Sequence, residues 1–343
     1  MRKYNVAILG ATGAVGQEFI HLIEERNFPV KNLKLLASER SAGKKMQVGD
    51  KEYTVEEATP ESFEGVEIAL FAGGSVSKTL APEAVKRGAV VIDNSSAFRM
   101  DEGVPLVVPE VNPEAIKSHN GIIANPNCST IIMVMALKPI HDAAKIKRVV
   151  VSTYQAVSGA GKEGIDELEA QVKAIVEGKP VVANILPSAS LPKHYQIAFN
   201  LLPHIDVFLE NDYTKEEMKM VYETHKILGD FTIGISPTTV RVPVYRSHSE
   251  SVNIETEKPI SAAEAKKLLA AFPGVIVKDD PKEMIYPMPL DVALQDEVFV
   301  GRIREDKSVK NGLNMWVVGD QIRKGAALNA LQIAEYMVKN NVI

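Results

Sequence analysis

The chain has one cysteine in 343 residues. An internal disulfide is excluded, and a reducing, cytoplasmic setting is the expectation. Long apolar runs are also missing: no segment approaches the roughly 18 apolar residues of a membrane span. The start, Met1-Arg2-Lys3 then Val6-Ala7-Ile8-Leu9, has the order of a signal peptide, but Gly10 and Gly13 break a run that is already short. No long basic run occurs and the net charge is −5, so neither nucleic acid nor an anionic membrane is an expected partner. Repeats and low-complexity linkers are absent, and no metal site is expected. What is present, 45% hydrophobic and 24% charged residues, is ordinary for a globular protein. A chain of this length predicts two domains.

The lone cysteine lies in Asn125-Pro126-Asn127-Cys128-Ser129-Thr130. A short apolar segment, Gly121 to Ala124, reads as a strand before it. The apolar, Met-rich run Ile131 to Leu137 reads as a buried helix after it. Cys128 is therefore expected on a strand-to-helix turn, where Ser129 or Thr130 can cap the helix. Free N–H groups at a helix start favour an anion, either a thiolate or an oxyanion on a carbonyl under attack. A single cysteine is also commonly just a small buried hydrophobe.

Tyr4 to Leu9 reads as a buried strand and Gln17 to Glu25 as a helix. Gly10-Ala11-Thr12-Gly13-Ala14-Val15-Gly16 joins them. Strand, glycine turn and helix form the context of a dinucleotide fingerprint, here spaced G-x-x-G-x-x-G. The glycines let the backbone approach a pyrophosphate, and the helix N–H groups point at it. Leu33 to Ala37 reads as the second strand. It ends in Ser38-Glu39-Arg40-Ser41. Two serines and an arginine suit the 2′-phosphate of NADP, whereas Glu39 is the acid that would hold a free ribose hydroxyl. Further strands at Val66–Ala72 and Ala89–Ile92 alternate with helices, which predicts a parallel sheet with its ligands at the strand C-termini. Arg99, after the second of these, is either a bidentate anion clamp or a surface arginine.

Beyond the cysteine, Arg148 to Val157 reads as a long strand carrying Gln155. Ser158-Gly159-Ala160-Gly161-Lys162 then opens a helix; it imitates a phosphate loop but has Ala156 and Glu163 where that motif needs Gly and Ser or Thr. Asn184 to Leu202 reads as an ordered loop. A helix from Lys215 to Leu228 carries two carboxylate–lysine pairs three residues apart, Glu216 with Lys219 and Glu223 with Lys226. Thr239 to Ile254 reads as one extended segment. Arg241 and His248 are an odd number of residues apart, so a regular strand would point them to opposite faces. Sharing a pocket would need a bulge or bend between them. Helix Ala262–Phe272 and strands Glu297–Arg304 and Asn314–Val318 follow. A final helix carries the apolar stripe Ala327, Leu328, Leu331, Ala334, Met337 and Val338.

Taken in order, Gly10 to Gly16, Ser95-Ser-Ala-Phe-Arg99, Asn125 to Thr130, Gln155, Ser158-Gly159, Arg241-Val-Pro-Val to His248, and Arg323-Lys-Gly-Ala-Ala327 make the chain resemble the aspartate-β-semialdehyde dehydrogenase family along essentially its whole length. The resemblance implies an α/β protein. Residues 1–127, completed by 314–343, would form a Rossmann NADP-binding domain to which the C-terminal helix returns. Residues 128–313 would form an α+β catalytic and dimerisation domain. It implies NADPH-dependent reductive dephosphorylation of L-aspartyl-4-phosphate to aspartate semialdehyde, on the route to diaminopimelate and lysine, methionine, threonine and isoleucine. The small-molecule substrate would be handled by a homodimer or a dimer of dimers.

By the same resemblance Cys128 is the nucleophile that forms a thioester, as covalent catalysis splits one hard step into two. His248 is the acid–base group, and Asn127 with the Cys128 N–H holds the oxyanion. Gln155 orients the substrate, Arg241 pairs with its carboxylate, Glu216 meets its amine, and Arg99 with Lys219 binds the phosphate. Glu216 and Lys219 are preferred to Glu223 and Lys226 by their distance from Arg241. Gly10, Thr12, Gly13, Ala14 and Val15 would meet the pyrophosphate, and Ser38, Arg40 and Ser41 the 2′-phosphate. Ser158, Gly159 and Gln321 would lie towards the nicotinamide; many relatives carry Asn at position 321. Two rival readings are a reductase of N-acetyl-glutamyl phosphate built on the same plan and a non-catalytic NADP-binding redox sensor.

Overall fold

The computed structural model describes residues 2–343. The chain divides into two compact units, 1–127 with 325–343, and 128–324.

The first unit holds strands β1 (Tyr4–Leu9), β2 (Val30–Ala37), β3 (Lys45–Val48), β4 (Lys51–Thr54), β5 (Glu56–Glu57), β6 (Ile68–Phe71), β7 (Val90–Asp93) and β8 (Ile122–Ala124), with helices α1 (Ala14–Glu25) and α2 (Ser77–Lys86). Six strands form a parallel sheet in the order β5-β2-β1-β6-β7-β8, and β3 pairs with β4 as a separate hairpin. Both faces of this sheet are covered, which explains why its strands read as unbroken apolar runs. Along β1, Val6 and Ile8 join one core while Ala7 and Leu9 join the other. The first of these cores also takes in Leu328, Leu331, Ala334 and Met337 of the terminal helix, so that helix packs within this unit beside α1. An Arg26–Glu335 ion pair at 2.8 Å accompanies the packing.

The second unit contains α3 (Cys128–Ala144), β9 (Ile146–Gln155), α4 (Lys162–Val176), α5 (Lys215–Leu228), β10 (Gly234–Arg241), β11 (His248–Thr256), α6 (Ala262–Ala271), β12 (Val275–Val277), α7 (Pro289–Val292), β13 (Val298–Asp306) and β14 (Gly312–Gly319). Its six strands form a mixed sheet in the order β10-β9-β11-β14-β13-β12. β10 runs parallel to β9, whereas β11 runs antiparallel to both β9 and β14. The apolar helix α3 packs on the middle of this sheet, flanked by α5 and α6. The segment 184–202 contains no helix or strand. It is held by α4, whose Glu167 carboxylate accepts N–H bonds from Asn184 and Ile185 at 2.6 and 2.8 Å and whose Gln171 accepts from Ile197 and Ala198 at 2.8 and 3.0 Å.

Three expectations need correction. Residues 314–324 belong to the second unit rather than the first, because β14 is zipped between β11 and β13. The chain re-enters the first unit within a π-helical turn, Arg323–Ala327, that leads into α8 (Leu328–Lys339). The cysteine helix begins at Cys128 itself, at the expected strand-to-helix turn, and continues through Pro139, so Ser129 and Thr130 lie inside the helix rather than capping it. Residues 239–254 are two strands rather than one bent strand. The chain leaves β10 at Arg241, turns through Ser247 with φ of +75°, and re-enters the sheet on the far side of β9.

Candidate active site

That last correction builds the site. Arg241 ends β10 opposite Gln155, which ends β9. Ser249 pairs with Tyr154, so His248, the first residue of β11, stands abreast of Gln155 on the other side. Three polar side chains thereby form one row across neighbouring strands. Residues abreast point to the same face, so no bulge is required.

Cys128, half-buried at the start of α3, faces this row. Its Sγ lies 3.4 Å from His248 Nε2. The other ring nitrogen, Nδ1, accepts the Ala156 N–H at 3.0 Å. His248 is fully buried, and that burial, reinforced by the Arg241 charge and opposed by Glu216, lowers its pKa to about 3. Gln155 Oε1 accepts a hydrogen bond from Thr153 Oγ1 at 3.0 Å, while Nε2 donates to Glu216 Oε1 at 3.3 Å. Glu216 sits in the first turn of α5, whose start is set by a capping box between Thr214 and Glu217. Its other oxygen accepts from Lys219 Nζ at 2.9 Å, and Lys219 also donates to Asp206 at 3.0 Å. Burial works against the Lys219 charge, but the two carboxylates outweigh it and hold the ammonium form firmly. Of the two carboxylate–lysine pairs on α5, Glu216 with Lys219 is the one joined to Gln155.

Arg241 is buried. Its Nη1 donates to the Ala156 carbonyl at 2.8 Å, and its Nε has no hydrogen-bond partner among the described residues. A buried guanidinium N–H without an acceptor is costly, so this group is ready-made for an incoming anion. Gly159 closes the wall. A Cβ there would come within 2.7 Å of Arg241 Nη1 and 3.4 Å of His248 Nε2, so a larger residue would push the guanidinium aside. The neighbouring Ser158 hydroxyl donates to the Tyr245 carbonyl and accepts from Gln321 Nε2, while Gln321 Oε1 takes the Ser247 N–H at 2.7 Å. The Gln321 side-chain amide is thus engaged at both ends as a brace for the Ser247 turn, which bears on its expected place towards a nicotinamide.

The remaining expected residues lie in the first unit. Gly10 has φ of +81°, and a Cβ there would sit 2.8 Å from the Ala72 carbonyl oxygen. At Gly16 a Cβ would meet the Gly10 carbonyl oxygen at 2.2 Å. Gly13 caps α1 without any side-chain acceptor, and the first turn, which contains Ala14 and Val15, carries no acid. The carbonyl of Thr12 accepts from Gln17 Nε2 at 3.1 Å. These features leave helix N–H groups open to a phosphate, so the turn fits a dinucleotide. Ser38 and Arg40 are exposed and Ser41 is buried at the short 3₁₀ turn Glu39–Ser41 after β2. Arg99 is not a surface arginine. It is buried, with Nε donating to the Asn125 carbonyl at 2.9 Å and Nη2 to that of Asn94 at 2.8 Å. Asn127 is buried as well. Asn125 is structural: its amide accepts from Asn329 of α8 at 2.7 Å and donates to Asn94 at 2.9 Å.

Sequence reasoning missed Thr153, Ala156 and Asp206. Thr153 had a signal, since it lies two residues before Gln155 on one face of a strand. Ala156 acts only through its backbone, and nothing local marks Asp206. Among the described residues no cluster of three or more His, Cys, Asp or Glu is arranged to hold a metal ion, and no helix is long and apolar enough to cross a membrane.

Comparison with known proteins agrees over the whole chain. Residues 5–119 match the semialdehyde dehydrogenase NAD binding domain, and residues 137–324 match the semialdehyde dehydrogenase dimerisation domain. The aspartate-semialdehyde dehydrogenase of Aquifex aeolicus is 61% identical over 344 residues, covering 99% of both chains. That of Bacillus subtilis is 55% identical, covering 100% of this chain and 99% of the relative. Among solved structures, aspartate semialdehyde dehydrogenase II of Vibrio cholerae complexed with ASA superposes with a TM-score of 0.94 at 49% identity, covering 99% of each chain. The Candida albicans enzyme with NADP gives a TM-score of 0.76 at 27% identity, covering 100% of each. A two-unit α/β oxidoreductase with a nicotinamide-dinucleotide domain and a dimerisation domain, this chain belongs to the aspartate-semialdehyde dehydrogenase family.

Proposed function

We propose that the protein reduces L-aspartyl-4-phosphate to aspartate-4-semialdehyde, releasing phosphate, with NADPH as reductant. The observation that carries the reading is the Cys128 Sγ–His248 Nε2 approach of 3.4 Å in a cluster that also contains Arg241 and Glu216. The Cys128 thiolate attacks the acyl carbon, a C–S bond forms, and the C–O bond to phosphate breaks. The Cys128 N–H and Asn127 stabilise the oxygen as it gains charge. Arg241 takes the substrate α-carboxylate through its open Nε–H, Glu216 takes the ammonium group, and Gln155 orients the chain between them. Lys219 and Arg99 are the binders of the departing phosphate. When bound, the nicotinamide cofactor supplies a hydride to the thioester.

The glycine turn Gly10–Gly16 would hold the pyrophosphate, and Arg40 with Ser38 and Ser41 the 2′-phosphate that distinguishes NADP from NAD. Ser158 and Gly159 are the proposed neighbours of the nicotinamide, with Gln321 acting through its bond to Ser158. The protein is taken to work as a homodimer in the cytoplasm, where a lone reactive thiol stays reduced. Light scattering distinguishes the dimer from a dimer of dimers.

Purified protein given aspartate semialdehyde, NADP and phosphate is expected to form NADPH, followed by absorbance. Inactivity towards that aldehyde with turnover of N-acetyl-glutamate semialdehyde would transfer the assignment to the N-acetyl-glutamyl phosphate reaction. Arg40→Ala is expected to raise the KM for NADP tens-fold and leave that for NAD nearly unchanged. Equal effects on both would remove Arg40 from the 2′-phosphate.

A further inference from the structure

The stretch Leu202-Pro203-His204-Ile205-Asp206-Val207 belongs to no helix or strand, yet it is tied down at both ends. Leu202 exchanges two backbone hydrogen bonds with Arg241: its N–H donates to the Arg241 carbonyl at 3.0 Å, and its carbonyl accepts the Arg241 N–H at 2.8 Å. At the other end the Val207 carbonyl accepts the N–H of Lys215, the residue before Glu216 on α5, at 2.8 Å. The strap therefore joins the backbone of Arg241 to the first turn of α5. Asp206 sits within it with φ of +68°, a left-handed conformation that aspartate tolerates better than most residues. Its Oδ1 accepts the Val207 N–H at 2.9 Å, while Oδ2 accepts from Lys219 Nζ at 3.0 Å.

Lys219 is thus shared between two acids, Asp206 on the strap and Glu216 on its own helix, the latter at 2.9 Å. An ammonium group has three N–H donors, so serving both carboxylates leaves a third for a phosphate oxygen. The charges matter more than the bonds. One carboxylate and one ammonium cancel, and a Glu216–Lys219 pair alone would attract a further cation only weakly. With Asp206 the group carries one net negative charge. Arg241, buried and close enough to Glu216 to feel its charge, is the positive counterpart. Gln155 lies abreast of Arg241 and donates to Glu216, so it spans the two sides. A positive side next to a net negative side is the complement of a free amino-acid head, an α-carboxylate beside an α-ammonium group.

We infer that Asp206 is a positioning residue that holds Lys219 and offsets its charge, so that Glu216 keeps its attraction for the substrate ammonium group. It touches no reacting atom and acts through Lys219. This rests on the activity proposed above, in which Glu216 takes the ammonium group and Lys219 the phosphate. The same offset has the opposite consequence for phosphate, because a second anion beside Lys219 weakens the pull of its ammonium on another anion. Asp206 therefore strengthens binding of a free amine and weakens binding of phosphate. A substrate whose amine is acylated carries no charge there and gains nothing from it.

The test is steady-state kinetics of the full-length protein with aspartate semialdehyde, NADP and phosphate. Asp206→Asn suits the left-handed backbone and keeps an oxygen acceptor while losing the charge. Asp206→Gly also fits φ of +68° and removes the side chain altogether. In the Asn variant the KM for aspartate semialdehyde is expected to rise about tenfold, the order of one charge in a partly buried site, and the KM for phosphate to fall. The Gly variant is expected to raise the aldehyde KM at least as far. Opposite movement of the two constants is the signature of a charge effect, whereas a disturbed fold would raise both. An aldehyde KM that stays at the wild-type value in either variant, or a phosphate KM that does not fall in the Asn variant, overturns the proposal. Wild-type protein that fails to turn over aspartate semialdehyde overturns the activity and this inference with it. An active wild type with indifferent variants overturns the inference alone.

Discussion

The two units present their candidate groups in opposite ways. In the first, the turn after β1 offers backbone N–H groups at the end of a parallel sheet, and side chains at its glycines would be obstacles. Gly10 and Gly16 matter because a Cβ would strike carbonyl oxygens at 2.8 and 2.2 Å. In the second, the proposed groups are side chains from adjacent strands, Arg241, Gln155 and His248, set abreast by register. One element of sequence, a single strand–turn–helix, makes the first site. The second needs β9, β10, β11, α3 and α5 together. The first is therefore vulnerable to added atoms, and the second to lost hydrogen-bonding groups or a register slip, which would turn every side chain of a strand to the wrong face.

The strongest test of this contrast is Cys128→Ala. Turnover is expected to fall by at least about four orders of magnitude, as when a covalent nucleophile is removed, while cofactor affinity measured by fluorescence titration stays the same. Loss of cofactor binding in this variant would break the separation of roles. Next is Gly16→Ala. The added methyl cannot be accommodated without moving backbone, so cofactor binding should be abolished and the unfolding temperature lowered, with a cost of about 1–3 kcal/mol. Alkylation of Cys128 should persist at the wild-type rate; a matching loss of thiol reactivity would couple the two sites.

Thr153→Val is a smaller perturbation inside the second unit. It removes the donor to Gln155 Oε1 and is expected to lower kcat about tenfold, the effect of one hydrogen bond, with the cofactor KM unchanged. An unchanged kcat would mean Gln155 needs no such support.

An effect on stability alone concerns Glu250, which shares a face of β11 with His248. It is fully buried, neither carboxylate oxygen has a hydrogen-bond partner among the described residues, and burial pushes its pKa well up. Its folded pKa lies above the unfolded value, so the folded state binds the extra proton. Stability is then complete below the unfolded pKa and declines as pH rises towards the folded one, by up to about 1.4 kcal/mol per pH unit from this group. Glu250→Gln should flatten that decline as pH rises above the ordinary carboxylate range, measured by denaturant unfolding. A variant with the same pH dependence as wild type would show that Glu250 does not titrate in that range.

The Gly10–Gly16 turn, the strand before it and α1 after it were legible because each is shaped by near neighbours in the chain. The terminal helix was legible as an apolar stripe in search of a partner, and α1 proved to be that partner. The stretch 314–324 was misassigned because nothing within it reveals that β14 pairs on both sides. Arg241 and His248 were legible as residues, but not their relation. Counting positions along one strand demanded a bulge, whereas β9 runs between them. Ala156 was invisible because its side chain has no part in its role.

The sequence alone determined the strand–turn–helix that suits a dinucleotide, the helix start that carries Cys128, and the chemical inventory of the site. These rest on contacts within a turn or two of the chain. The tertiary structure decided which of those groups meet. Gln155 reaches Glu216 across 61 positions of sequence and His248 across 93. It also decided which nitrogen of His248 faces the sulfur. A backbone N–H of one strand fixes that choice on the next, and strand pairing over such separations is set by the packing of the whole unit rather than by any local pattern.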